Sequence, residues 1–316
     1  MNAAVINTWG AAPIYSTLDL PEPTQTQHRI RISHAAVHNL VRSRAAGKHF
    51  SVANRSPPHV PGTDGVGTLP SGEKVYFNAL ASATGSFAEE INVEKKDVFA
   101  LPDGAREEDV AMLLNPAMSS WMALKARAQI AQGDAFKVAI VGATGVSGQT
   151  AVQISKALGA TTIVAIGKPG EKLERTKQLG ATEVIALASE PKGTDWSATS
   201  EVDVVLDYLY GDVSRYALPG IVAARKHKSP RLTWVEIGAL GGDELGVSGA
   251  LLRSANVVLL GCGPGSWTFP ELGRELPGML KAIVDGGLRA EYRVEGLKEV
   301  ESWWGETGGK RVLVKI

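Results

Sequence analysis

Phe136-Lys-Val-Ala-Ile-Val-Gly142-Ala-Thr-Gly145-Val-Ser-Gly148-Gln-Thr-Ala-Val-Gln-Ile-Ser-Lys-Ala-Leu158 is the stretch that decides the fold. Its first six residues, Phe136–Val141, read as a buried strand, and Val146–Leu158 reads as a helix. Between them lies a turn with glycines spaced three apart. Glycine lets the backbone approach a pyrophosphate closely, and the helix that follows offers unpaired N–H groups to the phosphates. A glycine triplet alone is weak, because tight turns that bind nothing also use glycine. Here the strand before it and the helix after it supply the confirming context. Gly142, Thr144, Gly145, Val146, Ser147 and Gly148 are therefore the candidate nucleotide-binding residues.

Working outward, apolar β-branched runs alternate with helix-length segments. Thr161–Ile166, Glu183–Leu187, Val202–Asp207, Leu232–Ile237 and Val257–Leu260 read as strands, with a helix over Glu171–Leu179. This alternation predicts an α/β unit, a doubly wound parallel sheet covered on both faces. The second strand ends at Ile166-Gly167-Lys168-Pro169-Gly170. A site selecting NAD places a carboxylate there for the ribose 2′-hydroxyl, yet no Asp or Glu occurs between Gln149 and Gly170. Lys168, Lys172 and Arg175 stand there instead, a positive set that suits the 2′-phosphate of NADPH.

Upstream, Arg29–Ala35 and Glu73–Asn78 read as short strands, and Val60–Gly67 as a loop entering another. The first hundred residues thus form a mainly β unit. Arg106–Ala126 has helical spacing interrupted by Pro116, which predicts two helices or one broken at the proline. After Pro270 come a helix to about Asp285, a strand near Tyr292, a short helix near Trp303 and a strand over Arg311–Lys315. That tail is too short to fold alone, so it is expected to return to the N-terminal β unit. Trp303 and Trp304 are expected to pack the short helix against that unit. The boundaries this gives are 1–114, 115–265 and 266–316.

The whole chain has 316 residues, 44% hydrophobic and 21% charged, with 33 basic against 33 acidic residues. Length and core-forming composition fit two domains. The charge balance argues against a nucleic-acid or membrane-surface partner. No signal-like or membrane-spanning run is visible, so a soluble, cytoplasmic protein is expected. The single cysteine, Cys262, excludes an internal disulfide and any Cys-rich zinc module. His34 and His38 are four apart on a strand leading into a loop and need not converge, so no metal is expected. Cys262, in the turn Gly261-Cys-Gly-Pro-Gly265, reads more readily as a packed residue than as a catalytic thiol.

Together these segments resemble the medium-chain dehydrogenase/reductase superfamily, and within it the zinc-free quinone-oxidoreductase-like branch. The resemblance rests on Val60-Pro-Gly-Thr-Asp-Gly-Val-Gly67, Gly85-Ser-Phe-Ala-Glu-Glu90, Asn115-Pro-Ala-Met-Ser-Ser-Trp121 and the Gly142–Gly148 turn. It continues through Glu171-Lys-Leu-Glu174, Leu179-Gly-Ala-Thr-Glu-Val184, Val202-Asp-Val-Val-Leu-Asp207 and Gly309–Ile316. It implies a Rossmann unit inserted into a discontinuous, GroES-like substrate unit, with the active site in the cleft between them. By position it implies pyrophosphate at Gly145 and Gly148, and the 2′-phosphate at Lys172 and Lys168. Ser119 and Asn39 would lie beside the nicotinamide, with backbone near Ile237-Gly238 and Gly261-Cys262 on the carboxamide side.

The implied reaction is NADPH-dependent reduction of a quinone or an α,β-unsaturated carbonyl compound. Asn39, Ser119 and His49 are its candidate catalytic groups, and Phe50, Asn115 and Trp267 are candidates for the substrate pocket. His49 enters because an ordinary imidazole gives up a proton near neutrality. The chain departs from many relatives at Lys48-His49-Phe50, where a tyrosine is common, and near Leu187, where an aromatic residue often flanks the 2′-phosphate. The resemblance also suggests a homodimer joined along the Rossmann sheet edges. An alternative from another class is an NADPH-binding redox sensor or scaffold without turnover. A short-chain reductase is disfavoured, because that fingerprint lies near the N-terminus rather than some 140 residues in.

Overall fold

The structure, a computed structural model, describes residues 1–131, 133–306 and 309–316, and all of these side chains except that of Phe50. In chain order the described residues begin with strands β1 (Asn2–Val5), β2 (Ile14–Thr17) and β3 (Gln27–Ala36), then helix α1 (Asn39–Ala45). Strands β4 (Asp64–Thr68), β5 (Lys74–Asn78), β6 (Glu90–Glu94) and β7 (Val98–Ala100) follow, ending at helix α2 (Glu107–Met122). Next come β8 (Phe136–Val141), α3 (Val146–Ala157), β9 (Ala160–Gly167), α4 (Glu171–Leu179), β10 (Glu183–Ala186) and β11 (Val204–Asp207). The series continues with α5 (Gly211–Ala224), β12 (Leu232–Glu236), α6 (Gly249–Ser254), β13 (Val257–Gly261) and α7 (Phe269–Asp285). The chain closes with β14 (Tyr292–Gly296), α8 (Val300–Trp303) and β15 (Arg311–Lys315).

By contacts the chain divides into two units, one of Met1–Asn115 with Leu276–Ile316 and one of Pro116–Glu275. The second passage therefore falls within α7, ten residues beyond 265, because that helix is continuous from Phe269 to Asp285.

In the Pro116–Glu275 unit, six parallel strands run in the order β10-β9-β8-β11-β12-β13. This is the doubly wound order 3-2-1-4-5-6, with its direction reversing between β8 and β11. Val138–Val141 and Val204–Asp207 are buried throughout, as strands covered on both faces must be. Trp234 of β12 is fully buried in this core with Ile166, Val205 and Ile221.

In the other unit, β3 is the hub of a seven-stranded sheet ordered β14-β15-β3-β4-β5-β7, with β6 also paired to β3. The pairs are antiparallel except β14 with β15. β15 thus brings the C-terminal tail back beside β3, with Leu313 opposite Ala36. Trp303 and Trp304 pack edge-on against Phe87, at centroid distances of 6.4 and 6.2 Å.

Pro116 does not break α2, contrary to expectation: the helix runs through it and ends in a π turn over Ala123–Arg127. Val110–Leu114, Ala117 and Met122 are almost completely buried. Burial of roughly 1.5–3 kcal/mol per large side chain outweighs the roughly 3 kcal/mol that an interior proline costs.

Candidate active site

The glycine turn follows β8 where the strand order reverses, the position at which doubly wound sheets bind ligands. Each glycine there has its own physical reason. Gly142 holds φ at +90°, a conformation that side chains rarely adopt. A Cβ on Gly148 would stand 2.3 Å from the Gly142 carbonyl oxygen, so only glycine lets α3 begin this close to the turn. Gly145 is different: its φ is −79°, and a Cβ there would find no protein atom nearer than 3.8 Å. The protein itself does not require glycine at that exposed position. Gly145 is the N-cap of α3 and has no side chain to cap it, so the first-turn N–H groups of Val146 and Ser147 lack an intrahelical partner. Thr144 packs beneath Gly167, where a Cβ would lie 2.6 Å from the threonine methyl.

β9 ends at Gly167, and Lys168 and Lys172 are both exposed. Among the described residues neither lysine makes an ion pair. Ile237 and Gly238 leave β12 with their N–H groups on the Asp207 carbonyl oxygen, at 2.8 and 3.2 Å. Cys262 follows β13 and donates its thiol toward the Ser119 carbonyl oxygen at 3.8 Å. Burial pushes that thiol up to about 12, so it stays protonated at neutral pH. Trp267 is buried and meets Phe269 edge-on at 6.4 Å. Arg127 clamps this turn from the π turn, donating to the carbonyl oxygens of Gly261 at 2.9 Å and Ser266 at 2.8 Å.

Ser119, on α2, donates to the Pro116 carbonyl oxygen at 2.7 Å and lies 3.1 Å from the Tyr208 hydroxyl. Sequence reasoning missed Tyr208, which is only 7% exposed. It also missed the role of Asp207, the one charge at the end of an apolar strand. The Asp207 carboxylate accepts from the N–H groups of Leu209 and Tyr210, the Ser214 hydroxyl and the Trp234 indole. Burial raises its pKa and these donors pull it back. The signal was available in outline, since a buried acid closing a strand needs several donors to be tolerated.

In the other unit the predicted residues fare unevenly. Asn39 is exposed at the first position of α1, and Asn115 is half-buried in α2. The Phe50 side chain lies outside the described residues. His49 accepts a hydrogen bond at Nδ1 from the Ser51 N–H, and burial with the nearby Arg44 lowers its pKa. The premise of an ordinary imidazole pKa therefore does not hold for it. His38, beside Asn39, is the more deeply engaged residue. Its Nε2 lies 3.1 Å from Asp64 Oδ1 and 3.1 Å from Thr63 Oγ1. The Tyr76 hydroxyl donates to the other Asp64 oxygen at 3.3 Å. Arg311 belongs to the same environment: burial pulls it down to about 10 and the Asp64 charge opposes that fall. Among the described residues no three His, Cys, Asp or Glu side chains gather to hold a metal ion.

No protein-family model matches the chain. Along its whole length it is similar to the probable NADPH-dependent quinone reductase tdiC of Emericella nidulans, 28% identical with 99% of both chains covered. In structure it matches the quinone oxidoreductase from Thermus thermophilus at a TM-score of 0.76, with 23% identity and 100% of each chain covered. It matches the putative NADPH:quinone reductase from Bacillus thuringiensis at a TM-score of 0.79, with 15% identity over 100% of this chain and 98% of that one. In strand order and in the glycine turn at the point where that order reverses the chain has the fold of these reductases, and along its full length it is similar to tdiC.

Proposed function

We propose that the chain is an NADPH-dependent reductase of quinones and α,β-unsaturated carbonyl compounds that works without zinc. One observation carries this reading: a backbone-built cradle lies at the reversal of the parallel sheet, and β9 beside it ends in lysine rather than a carboxylate. The residues present fit the cofactor. Gly145 offers an open face, the α3 terminus offers uncapped N–H groups to the pyrophosphate, and Lys168 and Lys172, unpaired among the described residues, are cations suited to the 2′-phosphate. NADPH bound there would supply a hydride, and with one proton from solvent a quinone would become its hydroquinone.

The protein's part is orientation. Gly142, Thr144 and Gly148 fix the turn, and the segments at Ile237-Gly238 and Gly261-Cys262 close the end of the same sheet. Ser119 holds a hydroxyl toward the reacting groups. Roles for Asn39, Asn115, Phe50 and Trp267 rest on the family resemblance. With the His49 pKa lowered, solvent is the better proton source.

We further infer a cytoplasmic homodimer. A single unpaired cysteine suits a reducing compartment. Among the described residues β13 pairs on one side only, and Leu259 on it and Leu252 on the preceding helix are 39% and 46% exposed, an edge that a second copy would cover. Light scattering on the wild type and on Leu259→Lys tests this, with a monomeric variant expected.

The reaction is tested by oxygen-free NADPH consumption against a naphthoquinone, a cyclic enone, an enal and a saturated aldehyde, with NADH in parallel and products identified by mass. Consumption with the quinone or enone and a preference for NADPH is the expected result. Tight NADPH binding with no consumption across the panel would replace this reading with that of a cofactor-binding sensor.

A further inference from the structure

Tyr208 is a single side chain set among three segments that are far apart in sequence. Its N–H donates to the Val141 carbonyl oxygen at 3.0 Å, tying it to the residue before the glycine turn. A Cβ on Gly142 would stand 3.2 Å from the Tyr208 Cβ, and one on Gly238 would stand 3.3 Å from the Tyr208 carbonyl oxygen. Its hydroxyl reaches Ser119 at 3.1 Å. The donors can be assigned. The Ser119 hydroxyl has one proton, and it goes to the Pro116 carbonyl oxygen at 2.7 Å. The Tyr208 hydroxyl must therefore be the donor toward Ser119 Oγ. A helical serine hydroxyl can otherwise turn among its staggered positions. Two partners, one accepting and one donating, hold this one in place. Tyr208 is buried just past the end of β11, outside the apolar cluster that surrounds Trp234.

We propose that Tyr208 is a positioning residue of the reductase reaction, acting through Ser119, which it holds in the orientation that faces the nicotinamide. This rests on the reading of the chain as an NADPH-dependent reductase and deepens it. Tyr208 makes no contact with the hydride or proton in transit; it restricts Ser119, so its loss affects the chemical step more than binding.

The test is a double-mutant cycle on the full chain with Tyr208→Phe, Ser119→Ala and both together. It is read in three ways: NADPH affinity by fluorescence titration, shielding of bound nicotinamide fluorescence from acrylamide, and kcat with a naphthoquinone. Tyr208→Phe is expected to leave NADPH affinity within about threefold, reduce the shielding, and lower kcat about tenfold, the scale of one lost hydrogen bond. Ser119→Ala should do the same, and the double variant should be no worse than Ser119→Ala alone. Ser119→Thr, which keeps a hydroxyl, should retain sensitivity to Tyr208→Phe. Losses that add in the double variant, or an unaltered kcat in Tyr208→Phe, would overturn the proposal. A wild-type chain that neither binds nor oxidises NADPH would instead defeat the underlying reading, and this shows before any variant is made.

Discussion

The glycine turn and the cluster around Asp64 handle buried polarity in opposite ways. Around the glycine turn the working groups are backbone: carbonyls, N–H groups and the absence of side chains at Gly142, Gly145 and Gly148. In the other unit the buried polarity is carried by side chains, with His38, Thr63, Asp64 and Tyr76 joined through one carboxyl group. A backbone cradle tolerates loss of a ligand, because its unpaired groups at a helix start are open to water. A buried side-chain cluster does not tolerate loss of a member, because each remaining partner is then left unsatisfied. The contrast predicts that damage to the cluster reads out as instability, and damage to the cradle as lost cofactor affinity.

The largest effect is expected at Asp64. Replacing it with alanine strips a carboxyl group that is 4% exposed from His38, Thr63 and Tyr76 and leaves Arg311 without its nearby negative charge. A loss of roughly 3–5 kcal/mol is expected, measured by denaturant unfolding. Tyr76→Phe removes one donor and should cost only about 1 kcal/mol. Equal effects of the two variants would mean that the cluster does not depend on its carboxyl group.

His59 gives the same unit a pH dependence of known sign. Its ring is 5% exposed, lies 5.2 Å from the Trp9 ring, and is held down to about 4 by burial, with Arg44 and Arg55 adding to the effect. The unfolded chain takes up a proton at this residue as pH falls through about 6.5, whereas the folded chain resists until about 4. Stability is therefore unaffected by this group above about pH 6.5 and declines from there to about pH 4. The expected decline is roughly 3 kcal/mol. In His59→Asn that part of the acid limb should flatten, seen by comparing unfolding midpoints at pH 7 and pH 4.5. An unchanged limb would assign the acid sensitivity to other groups.

The same contrast explains what the sequence made legible. The glycine turn, the six parallel strands and helices α3 and α4 could be read from residue order, because backbone conformation and apolar period are local properties. The end of β9 was legible for the same reason: a missing carboxylate is visible in a short segment. The cluster around Asp64 was not, since its members come from β4, β5, the start of α1 and β15, and nothing in the neighbourhood of any one names the others. Asn39 is the plainest case. The family resemblance named it, and nothing in that resemblance showed that its neighbour His38 is turned inward as the N-cap of α1. Tyr208 escaped notice because its hydroxyl partner lies 89 residues away. Pro116 misled in the opposite sense: a local helix-breaking rule was overridden by burial along α2, which only the folded chain reveals.

Within the cradle the glycines should separate cleanly. Gly148→Ala forces a Cβ to 2.3 Å from a backbone oxygen and 2.6 Å from the Ala143 Cα, so α3 must move. A loss of roughly 1–3 kcal/mol is expected, together with loss of NADPH binding. Gly145→Ala meets nothing closer than 3.8 Å, so the fold should keep its stability while NADPH binding weakens, because the new methyl occupies the face left for the phosphates. Unimpaired NADPH binding by Gly145→Ala would remove the turn from the cofactor site.

The smallest effects are expected at Lys168 and Lys172. Both are exposed and, among the described residues, unpaired, so replacing either with alanine should leave the unfolding midpoint alone. Their contribution appears only against a ligand that carries the extra phosphate. Each alanine variant should raise the KM for NADPH several-fold, up to about tenfold, and leave the KM for NADH where it was. Because the charges are in water, the difference between the two cofactors should shrink as salt is raised to about 0.5 M, in the variants and in the wild type alike. If NADH and NADPH weaken together, the lysines serve the pyrophosphate rather than the 2′-phosphate. If neither changes, the preference for NADPH comes from the missing carboxylate at the end of β9. In that case Lys168→Asp, which places an acid there, should be the variant that turns the enzyme toward NADH.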